Sequence, residues 1–156
     1  MGLKQLACQV EGLKRAGKKI VFTNGCFDLL HLGHVRYLEQ AKALGDVLIV
    51  AVNSDDSVRA LKGKGRPLIP QDQRAEIMAA LACVDFVIIF SDLDPIPTLQ
   101  ALRPDIHVKG GDYAEDQLPE AEVVKAYGGR VVIIPKIDVP STSDLIERIG
   151  KLGNRD

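Results

Sequence analysis

The sequence predicts a doubly wound α/β protein, a Rossmann-like three-layer α/β/α sandwich around a five-stranded parallel sheet. Five short runs rich in β-branched residues recur, with helical periodicity between them. Runs such as Val47-Leu48-Ile49-Val50-Ala51-Val52 are apolar without alternation, as strands covered on both faces must be. Helix start signals stand where the intervening helices should begin.

The elements follow in order. Leu3, Leu6, Val10 and Leu13 lie at helical spacing, making residues 1–17 an N-terminal helical segment. Ile20–Thr23 is the first strand, and Val35, Leu38, Ala41 and Lys42 set the period of a helix over Gly33–Leu44. The second strand, Val47–Val52, leads into a short helix over Asp55–Leu61, a basic glycine-bearing loop over Lys62–Pro67 and a helix over Gln71–Ala80. Phe86–Phe90 is the third strand. Asp94 then caps a helix over Pro95–Leu102 with proline in its first turn. Ile106–Val108 is the fourth strand and Lys109–Tyr113 a glycine-rich turn. A helix over Pro119–Ala126, a fifth strand over Val131–Ile134 and a helix over Ser143–Ile149, capped by Ser141 or Ser143, complete the chain.

Bulk properties narrow the function. The 156 residues suit a single domain spanning 1–156. Lys plus Arg is 20 against 21 Asp plus Glu, so no nucleic-acid or acidic-membrane surface is expected. Cys8, Cys26 and Cys83 are odd in number and lack CxxC spacing, which suggests neither a disulfide framework nor a zinc site and fits a reducing cytoplasm. The N-terminus has no apolar stretch long enough for a signal peptide or a membrane span.

The most informative segment is Thr23-Asn24-Gly25-Cys26-Phe27-Asp28-Leu29-Leu30-His31-Leu32-Gly33-His34. It is a strand-to-helix turn at the carboxyl end of the first strand, where open α/β sheets bind ligands. Free N–H groups and the positive end of a helix favour phosphate there. His31 and His34 share one face at the helix start, and Gly33 between them leaves the backbone bare for close approach. No GxxxxGK[ST] or GxGxxG follows the first strand, which excludes a P-loop ATPase and a dinucleotide-dependent dehydrogenase.

His31-Leu32-Gly33-His34 resembles the HxGH signature of the nucleotidyltransferase superfamily. Phe22–His31, Ala51-Val52-Asn53-Ser54-Asp55, Arg66-Pro67 and Val108–Tyr113 narrow the resemblance to the heptose 1-phosphate adenylyltransferases of lipopolysaccharide-core precursor synthesis, in their stand-alone form. The resemblance runs from about Lys18 to Ile149. It implies transfer of adenylate from ATP, carried with Mg²⁺, to a sugar 1-phosphate, with release of pyrophosphate; it also implies a homodimer. The wider group often carries an arginine before a Ser-Thr-Thr element, where this chain has Lys136 before Ser141-Thr142-Ser143; lysine supplies charge without the bidentate fork. Two other readings stay open: a cytidylyltransferase acting on glycerol 3-phosphate or another phospho-alcohol, and a non-catalytic nucleotide-sensing module.

Within the implied reaction, His31, His34 and Lys62 are the candidate catalytic residues, acting by stabilising phosphoryl charge rather than as protein metal ligands. Thr23, Asn24, Gly25, Phe27, Gly33, Gly110, Asp112, Lys136, Ser141 and Thr142 are expected to contact the nucleotide. Asp28, Asn53, Asp55, Arg66 and Lys109 are expected on the acceptor side, with Asp28 facing heptose hydroxyls. Each has a plainer reading: a helix-capping pair for the histidines, core for Phe27, a local turn for Asp28, capping for Asn53 and Asp55, and a solvated charge run for Lys62, Lys64 and Arg66. Lys42 reads as a surface lysine, and Arg74 as the partner of Glu76 or Asp72 on its own helix.

Overall fold

The computed structural model describes residues 1–111 and 114–153. Asp112 and Tyr113 lie outside the described residues. Five strands form one sheet: β1 (Ile20–Gly25), β2 (Val47–Asn53), β3 (Phe86–Phe90), β4 (Ile106–Gly110) and β5 (Arg130–Ile134). They run in the order β3-β2-β1-β4-β5 and every neighbouring pair is parallel. Among the described residues the helices are α1 (Leu3–Arg15), α2 (Leu32–Lys42), α3 (Asp55–Lys62), α4 (Gln71–Ala79), α5 (Ile96–Leu102), α6 (Glu120–Ala126) and α7 (Thr142–Leu152).

The strands alternate their side chains between two cores. Phe22, Ile49, Ala51, Ile88 and Phe90 point to the face covered by Leu6 and Val10 of α1, Leu99 and Leu102 of α5 and Val124 of α6. Val21, Leu48, Val50, Val52, Ile106 and Val108 point to the face covered by Leu38 and Ala41 of α2 and Met78 of α4. All seven residues of β2 are buried, which is why that run carries no polar alternation. The three layers are those the sequence predicts. The N-terminal segment is a full helix whose Leu6 and Val10 are inaccessible to solvent.

Strand order reverses about β1. The chain steps from β1 to β2 to β3 on one side and returns to place β4 and β5 on the other. The carboxyl ends of β1 and β4 therefore diverge into a crevice, the position at which such sheets bind ligands. β1 extends to Gly25, two residues beyond the predicted end, because Asn24 and Gly25 continue the ladder opposite Ala51 and Val52.

Candidate active site

An open cleft of about 790 Å³ lies over the carboxyl ends of the strands. Its floor is the β1–α2 turn with His31, Gly33 and His34; Lys62 and Arg66 flank one side, and Lys109 and Lys136 the other.

The two histidines form a helix cap and a stacked pair at once. His31 is the N-cap of α2, its Nδ1 accepting from the Gly33 amide at 3.1 Å, while His34 Nδ1 accepts from the His31 amide at 3.4 Å. The ring centroids are 3.8 Å apart. Capping and ligand contact are therefore compatible, because using both Nδ1 atoms as acceptors fixes the tautomer that carries hydrogen on Nε2. Neither Nε2 has a partner among the described residues. Burial lowers the pKa of His34 to about 4, with the neighbouring His31 acting in the same direction. Burial also lowers that of His31, against an opposing pull from Asp144. Near neutral pH the site thus presents two uncharged N–H donors.

Gly33 is required by this arrangement. A Cβ there would sit 2.7 Å from His31 Cε1 and 3.2 Å from Val139 Cγ2, so the space beside the backbone belongs to the His31 ring rather than to a ligand. Gly25 and Gly110 likewise give room to protein rings: added Cβ atoms would stand 3.0 Å from Phe27 Cε2 and 3.1 Å from Tyr37 Cε2. Phe27 adopts φ +46°, a region that costs a bulky residue strain, and lies edge-on to His34 with centroids 5.5 Å apart. It is both buried and part of the cleft wall, so its two readings merge.

Several expected ligand contacts are placed differently. The Asp28 carboxylate does not face the cleft as a free acceptor: it takes Arg66 Nε at 3.0 Å and the amides of Leu68 and Ile69 at 2.9 and 3.0 Å. With its side chain 1% exposed, it ties the loop after α3 to the β1–α2 turn. Arg66 lines the cleft but is committed to this pair. Thr23 is wholly buried beneath the floor, its hydroxyl shared between Tyr37 Oη at 2.5 Å and the Val108 carbonyl at 3.0 Å. Asp55 does not line the cleft either; it pairs with Arg74 at 2.9 Å. Asn53 does line it and donates to Ser57 Oγ, while the cap of α3 is Ser54 rather than Asn53 or Asp55.

At α7, Ser141 caps the helix through the Asp144 amide, and the Thr142 hydroxyl donates to the Leu29 carbonyl at 2.9 Å. Both residues still border the cleft, and Lys136 stands beside them. Asn24 borders it too, and its buried side-chain oxygen has no hydrogen-bond partner among the described residues. Burial raises the Cys26 thiol despite Lys62, Arg74 and Arg66 nearby, so it stays protonated and is a poor nucleophile.

Two elements of the site escaped the sequence reading. Arg74 is fully buried and bridges three segments: Nε donates to the Ile69 carbonyl, one terminal nitrogen to the Cys26 carbonyl and the other to Asp55. Glu76 and Asp72 are not its partners. Tyr37 supports both Thr23 and Gly110, and its spacing of three residues from His34 was the available signal. Lys42 does not stand free in solvent but pairs with Asp85 at 2.5 Å.

A cytidylyltransferase-like family model matches residues 22–148. The chain is 50% identical over 149 residues to the bifunctional protein HldE of Geobacter sulfurreducens, covering 96% of this chain and 30% of that protein. To the bifunctional protein HldE of Citrifermentans bemidjiense it is 56% identical over 133 residues, or 85% of this chain and 27% of that one. The chain thus spans about 30% of the length of such curated relatives. Among solved structures, the lipopolysaccharide core biosynthesis protein from Thermoplasma volcanium superposes with a TM-score of 0.66 at 33% identity, covering 79% of this chain and 99% of that one. A pantoate-beta-alanine ligase from Francisella tularensis superposes at 0.60 with 18% identity over 96% of this chain and 78% of that one, a likeness of fold alone. With its HLGH turn, its parallel sheet reversed about β1 and a family match across most of its length, the chain belongs to the cytidylyltransferase-like family of nucleotidyltransferases.

Proposed function

We propose that this chain transfers adenylate from ATP to a heptose 1-phosphate, giving ADP-heptose and pyrophosphate for lipopolysaccharide-core or related glycan precursors. The observation that carries the reading is the stacked His31–His34 pair, whose two Nε2–H donors open into a cleft ringed by Lys62, Arg66, Lys109 and Lys136. A sugar phosphate is largely dianionic near neutral pH, its second pKa being about 6, so attack on the α-phosphorus needs no general base. The difficulty is to hold two polyanions in line and to stabilise the departing pyrophosphate. Neutral imidazole donors serve this without repelling Mg²⁺. In this reading Mg²⁺ would arrive on the phosphates, where it neutralises charge. In the same reading the enzyme works in the cytoplasm as a homodimer.

The heptose assignment draws on the resemblance of the 22–31, 51–55 and 108–113 segments and on the HldE relatives. Incubation with ATP, Mg²⁺ and a panel of sugar phosphates, read by mass spectrometry, should yield a nucleotide-sugar from heptose 1-phosphate and ATP. Turnover confined to CTP, with glycerol 3-phosphate or another phospho-alcohol, would overthrow the adenylyl reading.

A further inference from the structure

Among the described residues three carboxylates line the cleft: Asp28, Asp94 and Glu120. Two are spent, Asp28 on Arg66 and backbone amides and Asp94 on the Ile96 amide. Glu120 is not. Its side chain is 5% exposed, and besides its own backbone amide it meets only two long side-chain contacts among the described residues, His107 Nε2 at 3.4 Å and Lys109 Nζ at 3.9 Å, both on the same oxygen. His107 is fully buried on β4 beside the Phe22 ring and aims Nε2 at that carboxylate. The hydrogen bond from His107 is the main reason the Glu120 carboxyl lies below its ordinary range, and burial works against it. An ionised, nearly buried carboxylate is therefore held at the wall of an otherwise cationic cleft with acceptor capacity left over.

That position has few uses. Phosphate would be repelled there, and no cluster of metal-ligating side chains accompanies it among the described residues. An amine would be opposed by the Lys109 ammonium. A hydroxyl fits, because it donates to the carboxylate and accepts from the ammonium simultaneously. We propose that Glu120 and Lys109 together bind a sugar hydroxyl of a substrate, with His107 as the positioning residue that holds the carboxylate. This rests on the proposed reaction between a nucleotide and a sugar phosphate, and the hydroxyl belongs either to the ribose or to the acceptor sugar.

Calorimetric titration of the full chain tests it without requiring turnover. The probes are ATP, 2′-deoxy-ATP, 3′-deoxy-ATP, heptose 1-phosphate and inorganic pyrophosphate, against wild type and Glu120→Gln. A ribose contact predicts that one deoxy-ATP binds wild type ~10-fold more weakly, that the variant loses the same factor for ATP, and that it loses nothing more for that analogue. An acceptor contact predicts a ~10-fold loss for heptose 1-phosphate alone. Pyrophosphate binding stays unchanged in either case. Equal affinities throughout, or a loss shared by every probe including pyrophosphate, would overturn the proposal. Glu120→Asp, which keeps the charge but withdraws it by one methylene, should reproduce the selective loss and carries the test if Glu120→Gln does not fold. His107→Asn should weaken the same single ligand. Failure of wild type to make any nucleotide-sugar would sink the adenylyltransferase reading while leaving these titrations interpretable.

Discussion

The Gly33 amide donates to His31 Nδ1 at 3.1 Å, and a Cβ on Gly33 would lie 2.8 Å from that same nitrogen. The glycine and the imidazole are thus a matched pair: the backbone holds the ring only because nothing projects from it.

Gly33→Ala separates stability from activity. Alanine favours a helix over glycine by ~1 kcal/mol, which offsets the ~1 kcal/mol lost when the cap is displaced, so the melting temperature should change little. Turnover should fall ~100-fold because the donor leaves its place. Thermal melts beside steady-state rates would show it; a stable protein with full activity would refute the ring's placement.

Single replacement of either imidazole by alanine should cost ~10²–10³ in kcat, the usual consequence of losing one charge-stabilising donor. Effects on the two should be strongly non-additive, since each ring supports its neighbour by stacking and capping. Rates for the two single variants and the double variant provide the cycle.

Folding stability should fall on acidification through His34. Its imidazole pKa is about 4 in the fold against 6.5 for an ordinary histidine, so between these values the unfolded chain binds the extra proton. Stability is fully present above about pH 6.5 and is lost as pH drops toward 4. His34→Asn should flatten that stretch of the profile. Urea unfolding of both proteins from pH 7 to 4.5 reads the difference, and parallel curves would contradict the neutral, desolvated ring.

Asp28→Asn removes a nearly buried charge that Arg66 and two amides all use. Breaking such a pair typically costs ~3 kcal/mol, and the Lys62–Ile69 stretch should loosen with it. Denaturant titration gives the first effect. The second should appear as a rise in KM larger than any fall in kcat, because Arg66, which lines the cleft, is carried on the loosened loop.

Arg74→Lys should also be costly, by ~3 kcal/mol, since one ammonium cannot span the Ile69 and Cys26 carbonyls and Asp55. Full stability of that variant, measured by urea unfolding, would show that the guanidinium is not the clamp.

The parallel sheet was legible because buried strands announce themselves as unbroken apolar runs, and the cleft's floor because HLGH stands at the helix start after the short turn that follows such a run. Side-chain destinations were another matter. Asp28 meets Leu68 and Ile69, forty residues on, and Arg74 meets Asp55 nineteen residues back. Spacing rules along a helix see only three or four residues, so they offered Glu76 and Asp72 instead. Thr23 was read as a ligand contact from its place in the turn, yet strand alternation sends its hydroxyl down toward Tyr37. Gly33 suggested room for a ligand, and Gly25 and Gly110 were expected to contact the nucleotide, whereas aromatic side chains fill the space beside all three.

The Thr142–Leu29 bond joins the start of the last helix to the turn after the first strand, 113 residues earlier. A chain emerging from the ribosome therefore cannot close the edge of this cleft until α7, the last helix, has been synthesised and has docked on that turn.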